Sequence, residues 1–336
     1  MIFVLPVVTA FAVTLAVLLP LRKIAMGFGI MDRPGPRKVH REPVPYLGGV
    51  AILIGAGVAI LVFFPQHWGL LVMLTLLLAV GLFDDVRGLP VWAKLLAEVT
   101  IAGAAVAQDG LSWQLTDSDI LNAGFSVLWI VGLTNSFNLL DNMDGLTSTA
   151  AACALVITAA LVPDTGVVAL PLAAAVVGFL AINRPPAGMY MGDAGSLMLG
   201  FGIAVCTIWA ANSTRGLHSF VILVFPVAIA LFDTTLVIVS RLTTGRPVQL
   251  GGKDHFSHRL RLLGWPPYVI LAVTIWASTI AWACAALALL YPQAEAWLAI
   301  PIALAFVAAW AILLRVDPYV IADQPRVEVY RDQTGT

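Results

Sequence analysis

The chain is expected to fold as an all-α polytopic membrane protein, and three observations predict it. Of its 336 residues, 60% are hydrophobic and only 11% are charged, against roughly a quarter charged in soluble domains. The mean hydropathy is +0.94. The apolar residues also gather into runs of the length a bilayer requires, about 17 to 25 residues of helix, and the charges collect between them.

Eleven runs meet that criterion, near 2–21, 47–64, 68–84, 92–108, 120–138, 145–162, 166–183, 195–212, 217–240, 267–290 and 294–314. The first has no basic residue before it and is followed by Arg22 and Lys23, the reverse of a secretory signal, so it reads as a retained span. The fourth is the weakest, being short and carrying Lys94 and Glu98 in its first turns. The ninth carries Asp233 inside the span. An intramembrane carboxylate is costly and is by default a functional candidate, although it could instead bond the neighbouring hydroxyls of Thr234 or Thr235.

Basic residues test the count, because cytoplasmic loops collect Lys and Arg. With eleven spans, every one of the 18 Lys and Arg residues except Arg215 falls on the same side. That predicts an N-terminus outside and a C-terminus in the cytoplasm. The economical division is one membrane-embedded domain over 1–316 and a short polar tail over 317–336, with no internal repeat. A net charge of -1 without blocks of like charge points to no nucleic-acid partner. Cys153, Cys206 and Cys284 lie in separate apolar runs, which suits small apolar filler and not a disulfide framework.

The groups capable of phosphate or metal chemistry lie on the basic side, in five segments. In RKVHREPVPYLGG, prolines keep the chain extended, so Lys38 and His40 could lie across a site mouth or merely fix topology. FDDVRGLPVWAK sets Asp84 beside Asp85, with Lys94 ten residues after the first. Adjacent carboxylates suggest cation binding, a retained proton or plain solvation at a helix end. In NSFNLLDNMDG, Asn135, Asn138, Asp141 or Asn142, and Gly145 recur at helical spacing, so that oxygens line one face. Such a face suits a hard cation, while Asp144 could cap the next helix. NRPPAGMYMGDAGS, which opens with Asn183, places Asp193 at the start of an apolar helix, either as an ordinary cap or as a carboxylate for the cation that travels with phosphate. GGKDHFSHRL brings His255, His258 and Arg259 together without the ligands zinc would need, so anion binding fits better.

Taken together and in order, these five segments resemble the polyprenyl-phosphate N-acetylhexosamine-1-phosphate transferases, a family that also includes the phospho-N-acetylmuramoyl-pentapeptide transferases. The resemblance implies attack of a polyprenyl phosphate on the β-phosphate of a UDP-linked amino sugar, giving polyprenyl-diphosphate-sugar and UMP, with Mg²⁺ or Mn²⁺ as cofactor. It implies that Asp193 and Asn138 hold the metal with Asp141 and Asp144 nearby, and that Asp84 and Asp85 lie at the lipid-phosphate side. Lys94 would bind phosphate, as Lys38, His40, Asn135 and Asn183 would line the substrate site. His255, His258 and Arg259 would engage the nucleotide-sugar diphosphate. Ser257 departs from the family's His-x-His-His-Arg loop, which puts one such contact in doubt. The GlcNAc-1-phosphate branch fits better than the muramoyl-pentapeptide branch, with a modified UDP-hexosamine as the alternative donor. The expected setting is the cytoplasmic face of the inner membrane, and the resemblance, not the residues themselves, implies a homodimer. The rival from another class is a secondary transporter, which predicts paired half-helices in two related halves; the sequence shows neither.

Overall fold

The computed structural model describes residues 2–32, 43–108, 111–249, 251–291, 295–316 and 318–319, without the side chains of 295–303. Lys38 and His40, and most of the 317–336 tail, lie outside the described residues. All eleven apolar runs are helical: α1 Val4–Phe28, α2 Gly48–Phe63, α3 Trp68–Arg87, α4 Val91–Val106, α5 Asp119–Leu140, α6 Leu146–Leu161, α7 Gly166–Asn183, α8 Gly192–Ala211, the pair α9 Leu217–Val224 and α10 Ala228–Thr243, then α12 Pro267–Leu290 and α13 Glu295–Leu314. The protein is thus a polytopic, all-helical membrane protein. Seven helical segments among the described residues are both long and apolar enough to cross a bilayer.

Two elements differ from the sequence reading. The ninth run is not one helix, because a 3-10 turn over Phe225–Val227 separates α9 from α10. Pro226 has no N–H to continue the ladder, which is the expected cause of such a break. A short helix, α11 Phe256–Leu262, stands in what the sequence presents as a loop. The only sheet among the described residues is a two-residue pairing of Met31–Asp32 with Val44–Pro45.

The centre of the molecule is α8, whose membrane-length window is 94% buried. Its sequence is rich in Gly and Ala, and small residues let helix backbones approach closely where lipid offers no hydrophobic drive. A Cβ placed on Gly81 of α3 would lie 2.5 Å from the Cα of Ala194, and one on Gly200 would lie 2.7 Å from the Cα of Thr134 on α5. These contacts fix the register of three helices. Asp84 and Asp85 are one turn beyond Gly81, Asp193 adjoins Ala194, and Asn138 is one turn beyond Thr134, so packing alone carries these polar side chains to one end.

Gly81→Ala is therefore expected to destabilise the protein by about 1–3 kcal/mol, the usual cost of overpacking a tight interior. Thermal unfolding in detergent would measure it. Gly103 on α4 has nothing within 4 Å of its missing Cβ, so Gly103→Ala should leave the transition within error of the parent.

Candidate active site

The two adjacent carboxylates at the end of α3 have separate tasks. Asp84 Oδ1 accepts from the Leu89 backbone N–H at 2.6 Å, closing the turn into α4, while its Oδ2 accepts from the Lys94 ammonium at 3.1 Å. Asp85 points the other way. It accepts from the backbone N–H groups of Asp193 at 2.9 Å and Ala194 at 3.1 Å, so it caps α8 from a different helix. The cap position of α8 itself is Met191, which has no side-chain oxygen to offer. Unsatisfied N–H groups at a helix start need such a partner, and Asp85 supplies it. Solvation as the sole reason for the pair does not describe this geometry.

Lys94 is the hub. Its ammonium donates to Asp84, to Asn138 Oδ1 at 3.4 Å and to Asp193 Oδ2, so oxygens from three helices converge on one cation. Asn138 is oriented by its own amide, which donates to Ser196 Oγ at 3.0 Å. Asp193 is consequently not an ordinary cap, because its side chain reaches into this cluster. Its side chain remains 35% exposed, against 14% for Lys94, which makes it the accessible wall of the cradle.

The polar run that follows is only half helical. α5 stops at Leu140, and Asp141 leaves helical geometry, as the turn-favouring Asp-Asn-Met-Asp-Gly composition explains. Asn135 turns aside from the cluster to donate to Glu98 and to Val131 O at 2.9 Å. Asp144 does not cap α6, whose cap position is Gly145; it accepts from Ala187 N–H at 2.9 Å. Asn183 is buried and acts as a pin. Its Oδ1 accepts from Gly145 N–H at 3.2 Å and Ser148 Oγ at 2.8 Å, and its Nδ2 donates to Met189 O at 3.1 Å. Together Asp144 and Asn183 bind the 141–145 turn to the 184–190 loop that leads into Asp193. Asp141 stays exposed beside them.

The histidine loop closes the same end. Ser257, the residue that departs from the family pattern, donates to Asn142, so it joins the loop to the end of α5. Arg241 grips Asp254 with two hydrogen bonds, of 2.8 and 3.0 Å, in a fully buried pair. Burial opposes ionisation of Asp254, yet the Arg241 fork holds its carboxyl below the usual range. His258 is pushed down to about 4, first by burial and then by His255, so it is neutral at pH 7.

Arg259 does not match the expectation of a phosphate fork. It is 1% exposed and donates to Asp254 O at 2.9 Å, Leu313 O at 2.9 Å, Val316 O at 2.6 Å and Ser240 Oγ at 2.6 Å. Its donors are directed at protein oxygens, and it ties the histidine loop to the end of α13. Asp233 likewise does not bond Thr234 or Thr235; its partner is His255.

Sequence reasoning missed Glu98 as a site neighbour. Its spacing of four from Lys94 on α4 was an available signal. Arg241 and Asp254 were also missed, and no local spacing marks that pair.

For a metal, the fit lies in donor chemistry. Among the described residues no group of three or more Asp, Glu, His or Cys side chains is placed to hold an ion unaided. Mg²⁺, however, typically takes one or two carboxylates and completes its shell with water and substrate phosphates. The oxygens of Asp193 and Asn138 suit that mode, being hard donors that already converge on a cation.

The comparisons with known proteins cover the same ground. Residues 67–211 match the glycosyl transferase family 4 model, a stretch that includes Asp84 through Asp193 and ends before the histidine loop. The chain is 32% identical over 280 residues to a probable undecaprenyl-phosphate N-acetylglucosaminyl 1-phosphate transferase of Bacillus subtilis, covering 77% of this chain and 78% of that one. It is 28% identical over 346 residues to a decaprenyl-phosphate N-acetylglucosaminephosphotransferase of Mycolicibacterium smegmatis, with 88% and 85% covered. It is 32% identical over 295 residues to a phospho-N-acetylmuramoyl-pentapeptide-transferase of Heliobacterium modesticaldum, with 77% and 88% covered.

Proposed function

The chain belongs to glycosyl transferase family 4, and from that premise we propose that it transfers a sugar-1-phosphate, GlcNAc-1-phosphate in the first instance, from a UDP-sugar to a polyprenyl phosphate. The observation that carries this reading is the convergence of Asp84, Asn138 and Asp193 on Lys94 at one end of the helix bundle. The proposed topology has eleven crossings with the N-terminus outside, which sets this end at the cytoplasmic face of the inner membrane. The reading is supported by the one-sided distribution of Lys and Arg.

In the proposed reaction an oxygen of the lipid phosphate attacks the β-phosphorus of the UDP-sugar. A new P–O bond forms, the bond to the bridging oxygen breaks, and that oxygen departs with UMP. Such transfers depend on in-line positioning and on neutralising charge at the leaving phosphate. Lys94 is the positive group held where the reacting phosphates would meet. A bound Mg²⁺, held by Asp193 and Asn138, would supply further neutralisation. The lipid phosphate is mostly ionised at pH 7, its second pKa being near 6, so Asp84 is not needed as a base. Asp85 keeps the start of α8, and therefore Asp193, in place. His255 and His258 face the donor in this scheme, with Asn142 and Ser257 joining the two halves of the site.

The test is UMP release by the purified protein from UDP-GlcNAc and undecaprenyl phosphate with Mg²⁺. Mg²⁺-dependent release is expected, abolished by EDTA and restored by Mg²⁺ or Mn²⁺. A panel with UDP-MurNAc-pentapeptide and 6-deoxy or diamino UDP-hexosamines fixes the donor. No release with any of them, together with ion flux in liposomes, would overturn the transferase reading in favour of a transporter.

A further inference from the structure

Asp233 is completely buried in α10, and both of its oxygens are committed to one residue pair. Oδ2 lies 2.7 Å from His255 Nδ1, and Oδ1 accepts the Phe256 backbone N–H at 2.8 Å. His255 is the residue that precedes α11, so the carboxylate grips the imidazole and the first amide of that helix at once. A carboxylate at this distance accepts and does not donate, so Nδ1 carries the proton whether the ring is neutral or charged. Nε2 is then the ring nitrogen left to meet a ligand. The same arrangement fixes the working tautomer of a catalytic histidine elsewhere in enzymology.

We propose that Asp233 is a positioning residue for the sugar-nucleotide site, holding His255 with Nδ1–H inward and Nε2 available to the UDP-sugar. This rests on the transferase reading given above. Three contacts support it. Ser257 Oγ donates to Asn142, which places the His255 loop against the turn that follows Asn138. The His258 ring stands edge-on at 5.8 Å from that of His255, limiting its rotation. The Arg241–Asp254 pair immediately before His255 fixes the backbone that delivers it.

The experiment uses the full chain in detergent with ¹⁵N-labelled histidine. In the parent protein His255 should show a protonated Nδ1. In Asp233→Asn, the amide that accepts from Phe256 N–H turns its NH₂ towards the ring, and the proton should move to Nε2. The same variant should raise the KM for the UDP-sugar by about 10- to 100-fold, the range for loss of a residue that orients a ligating histidine, with the KM for the lipid phosphate unchanged. If Asp233 acts through His255, the double variant Asp233→Asn/His255→Ala should be no worse than His255→Ala.

An unprotonated Nδ1 in the parent, equal changes in both KM values, or full additivity in the double variant would each overturn the proposal. Should Asp233→Asn fail to fold, UDP added to the parent decides: a shift of the His255 Nε2 resonance supports the proposal, and none overturns it. A parent without UMP release sinks the transferase reading, and the proposal with it as regards the sugar nucleotide. A protonated Nδ1 would then still show that the carboxylate holds the ring.

Discussion

Asp193→Asn is expected to lower UMP release by at least about 10²- to 10³-fold, the range seen when one preorganised electrostatic contact to a reacting group is removed. Two effects act together. The variant removes one of the two carboxylates that hold Lys94, so the ammonium shifts towards Asp84. It also removes the carboxylate that, in the proposed reaction, meets the divalent cation, leaving two neutral amides where Asn138 alone stood before. Folding should be little affected. The backbone N–H of residue 193 still donates to Asp85, and the side chain is partly exposed. Mg²⁺ titration of activity would separate the effects, because loss of the cation site should shift the Mg²⁺ requirement upward. Activity within tenfold of the parent, with an unchanged Mg²⁺ requirement, would remove Asp193 from the chemistry.

Arg259→Ala should act through stability. Its loss leaves the carbonyls of Asp254, Leu313 and Val316 and the hydroxyl of Ser240 without their charged donor, and unsatisfied buried groups cost about 1–3 kcal/mol each. Water entering the space recovers part of this, so a net loss of about 3–5 kcal/mol is expected from the four groups together. Arg259→Lys should recover only a fraction, since a single ammonium cannot reach acceptors spread around a planar fork. Thermal unfolding and donor KM measured on both variants give a clear contrast. A phosphate-binding arginine would leave unfolding unchanged and raise KM, whereas the contacts seen here require the unfolding temperature to fall.

What the sequence made legible follows from the range of the forces involved. The helices were legible because bilayer length and apolarity are properties of a continuous run, and every run is helical. Asp84, Asn138, Asp193 and Lys94 could be named because their types and order are distinctive. Their convergence needed the glycine contacts of α8, which depend on three helices that are distant in sequence. Arg259 shows the limit most plainly. Its neighbours in sequence are histidines, which suggested an anion site, but its guanidinium bonds protein oxygens, among them the carbonyls of Leu313 and Val316, more than fifty residues away. The same holds for Asp233, whose nearby threonines offered a local partner that it does not take. Polar residues in an apolar chain announce themselves, and their bonding partners do not.

The burial of α8 has a consequence for how the protein meets its membrane. Bilayers differ in thickness, and helices exposed to lipid answer by tilting or bending at a cost of fractions of a kcal/mol per Å. α8 is screened from lipid by its neighbours, and Asp193 sits on its first turn. Changes in acyl-chain length therefore fall on the outer helices, where they can be absorbed as tilt, and the acidic end of the bundle is held by a strut that the surrounding lipid does not touch.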